Sequence, residues 1–312
     1  IGTELVKYCL DIYDEVLAFD NNEDGLFKLR TEINIKFSAL SHKMGYFLGD
    51  IRDKSRLLYG FKNVEVVFHC AALKHVGVCE WNPSESVATN IQGTQNIIES
   101  AINNGVQKVI FASSDKAANP SSVMGASKLV AERLFINANS LFGNGSTGFC
   151  CVRFGNVWNT NGSVGRIFEN QVKNKEPITI TDKRMTRFFV DIQQAINLCI
   201  FASNNMEGGE TFVLDMGTAH VIDIANEFIN QFGEGSIKEI GISPGEKLYE
   251  ELFTEVESLR TILIDGVYLI LPEVNNANYT FERVLQKYKN FKRIGRALRS
   301  DNEKNKKVDV KF

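Results

Sequence analysis

The sequence has 312 residues, of which 44% are hydrophobic and 23% charged, ordinary proportions for a globular protein. Its net charge of −3 gives no general attraction to nucleic acid or to an anionic membrane, so we expect neither as a partner. No apolar run approaches the roughly 20 residues that cross a bilayer, and charges interrupt the first residues. We therefore expect a cytoplasmic chain with no secretion signal and no membrane segment.

Apolar runs and helical patterns alternate along the first half of the chain. The runs at 15–20, 64–72, 108–114 and 149–157 are typical of strands that are covered on both faces of a parallel sheet. The intervening segments 81–104 and 121–140 have helical patterns, and Gly105 is suited to end the first of them. This alternation predicts an α/β fold with a doubly wound parallel sheet of the Rossmann type, which binds ligands at the carboxyl ends of its strands.

The character of the sequence changes after Val157, where Gly and Asn cluster before short predicted strands at 177–181 and 210–216. We interpret this half as a smaller C-terminal lobe that binds substrate. The predicted division assigns 1–155 and about 187–216 to the Rossmann domain, and 156–186 and 217–282 to the substrate lobe. Residues 283–312 are rich in Lys, Asn and Arg, which is typical of a charged helix or tail.

The six cysteines and four histidines show no metal-binding spacing. Cys70, Cys150 and Cys151 lie in apolar runs, where cysteine usually acts as a small hydrophobic residue. We therefore predict no metal site and no disulfide framework.

Asp20 closes the first predicted strand, where a carboxylate in a dinucleotide fold binds the adenosine ribose hydroxyls and repels a 2′-phosphate. This position favours NAD over NADP, although an aspartate that only caps a turn is equally compatible. The glycine-rich phosphate loop of such folds is largely absent from this sequence, and Gly2 is placed to be its last glycine.

The segment from Phe111 to Lys128, FASSDKAANPSSVMGASK, is the strongest functional pattern. It begins at the carboxyl end of a predicted strand and turns through Pro120 into a helix, where Met124 and Lys128 share one face. An ordinary capped turn explains any one of these residues. The Ser-Asp-Lys run followed by a lysine on the helix favours a catalytic site.

Eight segments together make the chain resemble the bacterial UDP-N-acetylglucosamine 4,6-dehydratases of the polysaccharide-biosynthesis group, within the extended short-chain dehydrogenases/reductases. In chain order the matching segments are AALKHV (71–76), TNIQGTQNII (89–98), SSDKAANP (113–120), RFGNV (153–157), GSVGRIF (162–168), MTRFF (185–189), GGETFVLDMG (208–217) and PGEKLYEEL (244–252). The resemblance implies an NAD-dependent lyase that converts UDP-N-acetylglucosamine to a 4-keto-6-deoxy sugar, and a homo-oligomer that pairs helices around 84–100 and 127–139.

One residue departs from the superfamily pattern Tyr-x-x-x-Lys, because Met124 stands in the tyrosine position. The resemblance to the subset with Met at this position implies retention of configuration at C5. It also implies that Lys116 is the base at C5, that Asp115 is the acid for the C6 hydroxyl, and that Lys128 holds the nicotinamide ribose. We expect burial and the charge of Lys128 to lower the pKa of Lys116, and Ser114 to relay the proton of the C4 hydroxyl.

The resemblance also implies the ligand contacts. Those expected for the cofactor are Gly2, Asp20, Asp50, Ile51, Ala71, Ala72, Asn90 and Lys128. Those expected for the substrate are Lys74, Asn156, Thr181, Arg187 and Glu246. Ordinary roles are open for several of them: a helix cap for Asp50, a bond within a helix for Asn90, and surface charge for Lys74 and Arg187.

Three alternative functions remain open. A UDP-sugar 4-epimerase has the same fold, but its chemistry needs no Asp-Lys pair and depends on the missing tyrosine. A dehydratase that also inverts C5 differs only in the stereochemistry of its product. A non-catalytic module that binds nucleotide sugars is compatible with Met124 and with the missing phosphate loop.

Overall fold

The computed structural model describes residues 1–141, 147–158, 160, 163–232, 235–273, 286–288, 291–302, 305 and 307–308, except the side chain of Leu141. In chain order its strands are β1 (Val16–Asp20), β2 (Met44–Leu48), β3 (Val66–His69), β4 (Lys108–Ser114), β5 (Gly148–Phe154), β6 (Asn156–Val157), β7 (Ile178–Ile180), β8 (Thr186–Val190), β9 (Thr211–Leu214), β10 (Gly217–His220), β11 (Ile237–Glu239), β12 (Glu251–Phe253), β13 (Thr261–Ile264), β14 (Val267–Ile270), β15 (Lys292–Arg293) and β16 (Leu298–Arg299). Its helices are α1 (Gly2–Ile12), α2 (Glu23–Lys36), α3 (Lys54–Gly60), α4 (Val76–Trp81), α5 (Pro83–Ser86), α6 (Gly93–Asn104), α7 (Val123–Leu141), α8 (Val164–Lys173), α9 (Ile192–Asn205), α10 (Val221–Phe232) and α11 (Glu255–Ser258).

A seven-stranded sheet in the order β15-β13-β14-β9-β5-β4-β3 forms the centre of the fold. Strands β3, β4, β5 and β9 run parallel, and β14, β13 and β15 continue the sheet in antiparallel fashion. Strands β1 and β2 form a separate parallel pair. The β13–β14 hairpin thus joins the main sheet, so its assignment to the substrate lobe within 217–282 is wrong. The rest of the predicted division stays a prediction.

Helices cover both faces of the main sheet, which explains the continuous apolar run in β4. Ile110 and Ala112 face a core that includes Leu5 of α1 and residues of α9. The alternate residues of the strand, Val109 and Phe111, face a second core formed with α3, α6 and α7. Side chains of a strand alternate between faces, so apolar residues are needed at every position.

A further core lies among the elements that follow β5. Helices α8 and α10 pack there against β7 and β8, with Phe168, Ile178, Phe189 and Phe228 fully or nearly buried. The ring of Trp158 stacks on Phe189 at a centroid distance of 4.4 Å. This packing positions β8, which carries Arg187.

Most predicted elements of the first half are present, with one long helix divided. Strand β4 has the predicted bounds, and Gly105 ends α6 with a φ of +68°, the left-handed conformation that glycine adopts without strain. The predicted helix 81–104 is instead broken into α4, α5, a π turn at Val87–Gln92 and α6. Within the described ranges, no helix combines the length and hydrophobicity that crossing a bilayer requires.

The C-terminal segment contributes strands where the sequence predicted a charged helix or tail. β15 pairs with β13 and β16 pairs with β12, both antiparallel. Ser300, next to β16, is 2% exposed. The prediction is therefore wrong for these residues, because backbone pairing and one buried hydroxyl hold a segment that is poor in hydrophobic residues. Residues 283–285, 289–290, 303–304, 306 and 309–312 of this predicted segment lie outside the described residues.

Candidate active site

The Ser114-Asp115-Lys116 segment forms a tight turn at the carboxyl end of β4. One turn of 3₁₀ helix covers Asp115–Ala117, and the Ser114 side chain caps it by accepting a hydrogen bond from the Lys116 backbone N–H at 3.3 Å. The Ser114 hydroxyl donates to Asp115 Oδ1 at 2.9 Å, and Lys116 Nζ donates to the same oxygen at 3.0 Å. Three groups that can exchange protons are thus linked through one carboxylate oxygen.

The three side chains lie at different depths. Asp115 is fully buried, whereas the Lys116 side chain is 21% exposed and Ser114 is half-buried. Asp115 Oδ2 is buried and has no hydrogen-bond partner among the residues that the structure describes. Ser114 and Lys116 are therefore more accessible from outside than Asp115.

The charge state of Lys116 differs from the expectation. Burial lowers the pKa of Lys116, but the negative charges of Asp115 and Glu250 outweigh burial and hold the pKa above its ordinary value. The expectation of a lowered pKa was wrong because it ignored two carboxylates. Lys128, which was expected to lower it, is not among the charges that act on Lys116; the opposing cation is Arg187.

Helix α7 places Met124 and Lys128 beside the catalytic turn. A Cβ atom at Gly125 would lie 2.5 Å from the Lys116 carbonyl oxygen, so only glycine lets the helix approach this closely. The Glu80 carboxylate accepts a hydrogen bond from the Val123 N–H at 2.7 Å, which satisfies a donor at the start of the helix. Met124 is buried, at 3% exposure.

Lys128 lies under β4 rather than in solvent. Its Nζ donates to the Ala112 carbonyl oxygen at 3.0 Å and lies 4.5 Å from the centre of the Phe111 ring. Burial lowers the pKa of Lys128 to about 8. Lys128, and not Lys116, is therefore the lysine of this site whose proton is easily lost.

Asp20 ends β1 and is exposed. Its Oδ1 accepts a hydrogen bond from the Asn22 N–H at 2.9 Å, so it also serves the turn that leads into α2. Both sequence interpretations of Asp20 therefore fit its position, because an exposed carboxylate that orders a turn can still accept ribose hydroxyls.

Asp50 follows β2, with Ile51 buried behind it. Asp50 does not cap α3, since Asp53 does so by accepting from the Arg56 N–H. The Arg52 guanidinium instead binds the Asp50 carboxylate, at 2.7 Å for the shortest contact, and lowers the pKa of Asp50 to about 2.

Asn90 holds the loop after β3, which contains Ala71 and Ala72. Its side chain accepts from the Leu73 N–H at 2.8 Å and donates to the Leu73 carbonyl oxygen at 3.0 Å. It also donates to Ser127 Oγ on α7 at 2.9 Å. The Asn90 side chain thus bridges two parts of the site, and these three bonds all leave its own helix.

These residues fit a dinucleotide. Helix α1 has no side chain bonded to its N-terminal N–H groups, which are the groups that bind diphosphates. A Cβ atom at Gly2 would lie 3.9 Å from Cys70, so this helix terminus lies beside the carboxyl end of β3. The buried Ser113 hydroxyl in β4 also lacks a partner among the described residues.

The residues expected to bind substrate are only partly gathered. Arg187 in β8 is buried, and its Nε lies 4.0 Å from the Glu250 carboxylate that also contacts Lys116. Asn156 in β6 pairs with β8 opposite Phe189. Arg187 therefore reaches the catalytic cluster, and Asn156 lies on the neighbouring strand.

The other three residues lie in loops. The Thr181 carbonyl oxygen already accepts from the Gly241 N–H at 3.1 Å, so this carbonyl is engaged within the protein. The Glu246 carboxylate accepts from the Ser243 N–H at 3.0 Å and orders its own loop. Lys74 is exposed. The bonds shown for Thr181 and Glu246 are thus to Gly241 and Ser243, and not to the Ser114–Lys116 turn.

Sequence reasoning missed Glu250, Lys247 and Ser300. Glu250 is 3% exposed and lies 3.8 Å from Lys116 Nζ, and Lys247 Nζ lies 3.1 Å from its other oxygen. The only available signal was their place in PGEKLYEEL, where nothing distinguishes Glu250 from Glu251. No signal in the sequence pointed to Ser300.

Comparisons with known proteins identify the family. The polysaccharide biosynthesis protein family matches residues 1–272. The chain is 36% identical to a UDP-N-acetylglucosamine 4,6-dehydratase (inverting) of Campylobacter jejuni, over 88% of this chain and 80% of that protein. It is also 36% identical to a UDP-glucose 4-epimerase of Rickettsia akari, over 85% of this chain and 76% of that protein.

Solved structures agree in fold. Pen from Bacillus thuringiensis is 37% identical, covers 97% of this chain and 91% of its own, and superposes with a TM-score of 0.88. DesIV from Streptomyces venezuelae, a dTDP-glucose 4,6-dehydratase solved with NAD, is 19% identical, with coverage of 79% and 83% and a TM-score of 0.71. The chain therefore has the fold of the extended short-chain dehydrogenases/reductases and belongs to the polysaccharide biosynthesis protein family.

Proposed function

We propose that this protein is an NAD-dependent 4,6-dehydratase that acts on UDP-N-acetylglucosamine and supplies a 4-keto-6-deoxy sugar for surface polysaccharide or glycoprotein synthesis. The observation that carries the proposal is the Ser114-Asp115-Lys116 cluster, in which an amine and a hydroxyl share one buried carboxylate oxygen. An elimination needs both a base and an acid, and this cluster supplies both. The similarity to the Campylobacter dehydratase supports the same activity.

Asp20, the N-terminus of α1, the 71–73 loop and Lys128 would hold NAD. Bound there, NAD would supply a hydride acceptor for sugar C4 and, once reduced, a hydride donor for C6. The positively charged side chains of Lys116, Arg187 and Lys247 outnumber the carboxylates of Asp115 and Glu250 by one. This excess of positive charge favours the anionic diphosphate of the substrate, with Arg187 the side chain suited to bind it.

The proton path follows the hydrogen bonds of the cluster. Ser114 accepts the proton of the C4 hydroxyl and passes its own to Asp115, while C4 becomes a ketone. The neutral form of Lys116, a minor fraction because the pKa of this amine is raised, then removes the C5 proton, which is now acidic beside the ketone. Asp115 returns its proton through Ser114 to the departing C6 hydroxyl, which leaves as water. Lys116 finally gives its proton back to C5, so the protein ends with the protons with which it began.

Met124 removes the usual tyrosine from this path, and Ser114 takes its place. The comparisons do not support the expectation of retention at C5, since the matching Campylobacter dehydratase is named inverting. The face of the sugar ring on which Lys116 returns the proton decides the configuration at C5, and NMR of the product measures that configuration.

The similarity to the Rickettsia epimerase favours a second candidate, a UDP-sugar 4-epimerase. Epimerisation leaves the mass of the sugar unchanged and has no step for Lys116 as a C5 base. A module that only binds nucleotide sugars leaves the sugar untouched.

Mass spectrometry of UDP-N-acetylglucosamine incubated with the protein and NAD separates these candidates. The dehydratase predicts a product lighter by one water, formed by the wild type and lost in Lys116→Ala. Lys62→Ala is a suitable control because Lys62 is a lysine exposed on the loop after α3. A new sugar of unchanged mass supports the epimerase, and unchanged substrate with saturating NAD rejects both enzymes.

A further inference from the structure

Glu250 lies between the cations of the site. Its Oε1 is 3.8 Å from Lys116 Nζ and 4.0 Å from Arg187 Nε, and its Oε2 is 3.1 Å from Lys247 Nζ. The contact with Lys247 is an ion pair without hydrogen-bond geometry, because Oε2 has no hydrogen-bond partner among the described residues. Burial of a carboxylate costs desolvation free energy. The three surrounding cations offset this cost only if they are held in place.

The backbone at Glu250 is fixed from two directions. Its N–H donates to Ser300 Oγ at 2.9 Å, and its carbonyl oxygen accepts from the Ser300 N–H at 2.9 Å. Ser300 Oγ also contacts Thr186 Oγ1 at 2.9 Å and donates to the Thr186 carbonyl oxygen at 3.1 Å. Because Thr186 directly precedes Arg187, one serine beside β16 ties Glu250 to the strand that carries the guanidinium.

We propose that Glu250 is a positioning residue of the active site, whose carboxylate fixes the Lys116 amine relative to the Arg187 guanidinium. Arg187 binds the diphosphate and Lys116 removes the C5 proton in the proposed function, on which this inference rests. Glu250 thereby fixes the distance between the anchor of the substrate and the base. It acts through Lys116 and Arg187 and need not touch the sugar.

Three charged side chains, each from a different element, act on the Lys116 amine. Asp115 comes from its own turn, Glu250 from the segment before β12, and Arg187 from β8. Lys247 pairs with Glu250 and donates a hydrogen bond to the Asn119 carbonyl oxygen at 2.8 Å. Asp115 and Glu250 raise the pKa of Lys116, whereas burial and Arg187 lower it. Removal of the Glu250 charge must therefore lower the pKa of Lys116 and extend its neutral, reactive form to lower pH.

The test compares Glu250→Gln, which keeps shape and removes charge, with Glu250→Asp, which keeps charge on a shorter side chain. Glu251→Gln is the matched control, because Glu251 is a neighbouring buried glutamate whose backbone pairs with that of Arg299, and it is not among the charges named above as acting on Lys116. The first readout is the titration of Lys116 by NMR of the full chain with labelled lysine, with its resonance assigned by loss in Lys116→Met. This readout needs no activity.

We expect the Lys116 titration to move to lower pH in Glu250→Gln, to move less in Glu250→Asp, and to stay in place in Glu251→Gln. The rising limb of kcat against pH for loss of water should follow, with a plateau reduced on the order of tenfold or more by misplacement of the amine. An unmoved titration in Glu250→Gln overturns the inference whether or not the enzyme is active. A wild type that removes no water overturns the proposed function alone.

Discussion

The surroundings of Lys116 favour its charged form, whereas the surroundings of Lys128 disfavour it. Lys116 lies among carboxylates that raise its pKa, whereas Lys128 is buried against Phe111 and a carbonyl oxygen, and its pKa falls to about 8. The Ser-Asp-Lys pattern sufficed to predict that Ser114, Asp115 and Lys116 lie together at the end of β4. It did not predict their protonation, because Glu250 and Arg187 reach Lys116 only through the fold.

Binding of NAD should therefore depend on pH through Lys128. Only the charged amine offers positive charge to the cofactor, so NAD raises the pKa of Lys128 above the value of about 8 in the free protein. Affinity for NAD is then constant well below pH 8 and falls as pH rises through that value, by up to about tenfold per pH unit.

Calorimetric titration with NAD across this range tests the point. Lys128→Met should bind more weakly and lose the pH dependence. Lys108→Met should keep it, because Lys108 lies at the opposite end of β4 and donates to the Ser203 carbonyl oxygen. A pH dependence that persists in Lys128→Met rules out this account.

Elements near the site are joined by an internal ion network. Arg153 in β5 binds Glu132 of α7 at 2.6 Å and Glu257 of α11 at 2.8 Å, and the Arg153 and Glu132 side chains are each 1% exposed. Its Nη1 also donates to the Leu252 carbonyl oxygen in β12 at 3.0 Å. The helix that carries Lys128 is thereby tied to the segment that carries Glu250.

Substitution of Arg153 by Met should destabilise the protein by about 3–5 kcal/mol, because Glu132 and Glu257 remain buried without their partner. Urea unfolding measures this loss. Arg133→Met is the control, since Arg133 lies on the same helix, is 46% exposed and pairs with Glu273 at 3.6 Å, and it should change stability by less than about 1 kcal/mol. Equal losses of stability in the two variants would show that the buried network stabilises the protein no more than an exposed ion pair does.

Acid should weaken the same network. Burial raises the pKa of Glu257, but the Arg153 guanidinium outweighs it and lowers the pKa to about 2. A depressed carboxylate pKa contributes stability that is present above its unfolded value of about 4.3 and is lost as pH falls toward 2. Arg153→Met should lose less stability than the wild type over this range.

The elements themselves were predictable where local signals agree. Strand β4 and the end of α6 at Gly105 follow from an apolar run and from a glycine with positive φ. The break of the predicted helix 81–104 did not follow, because one helical pattern spans the π turn and the segments on either side. β15 and β16 were missed because two-residue strands leave no periodicity to detect.

At the scale of the whole molecule, apolar side chains remain exposed on the helices expected to pair subunits. Val87 in the π turn is 51% exposed and Val130 on α7 is 42% exposed. Single exposed apolar residues are common on soluble proteins and do not mark a contact by themselves, but the family resemblance implies that these helices pair subunits. We therefore expect a dimer or a larger homo-oligomer.

Sedimentation analysis of Val130→Glu tests this expectation, since a charge in the contact should shift the protein toward monomer. Ile35→Glu is the control, because Ile35 is 73% exposed on α2, outside these helices. A monomeric wild type contradicts the expectation, and so does an assembly that Val130→Glu leaves intact.

The overall architecture followed from alternation of strands and helices, while the boundary between lobes did not. The β13–β14 hairpin joins the main sheet through antiparallel pairing with β9, a contact between distant segments. Sequence patterns report burial and period, and they do not report which strand a hairpin will pair with.

The central claim is that Lys116 removes and returns the C5 proton of a nucleotide sugar. NMR of the product formed from UDP-N-acetylglucosamine and NAD in deuterated water measures this directly. Since the Lys116 amine exchanges with solvent, the account predicts a 4-keto-6-deoxy product with deuterium at C5, and none from Lys116→Met. A dehydrated product that keeps its original hydrogen at C5, or one still formed by Lys116→Met, would contradict it.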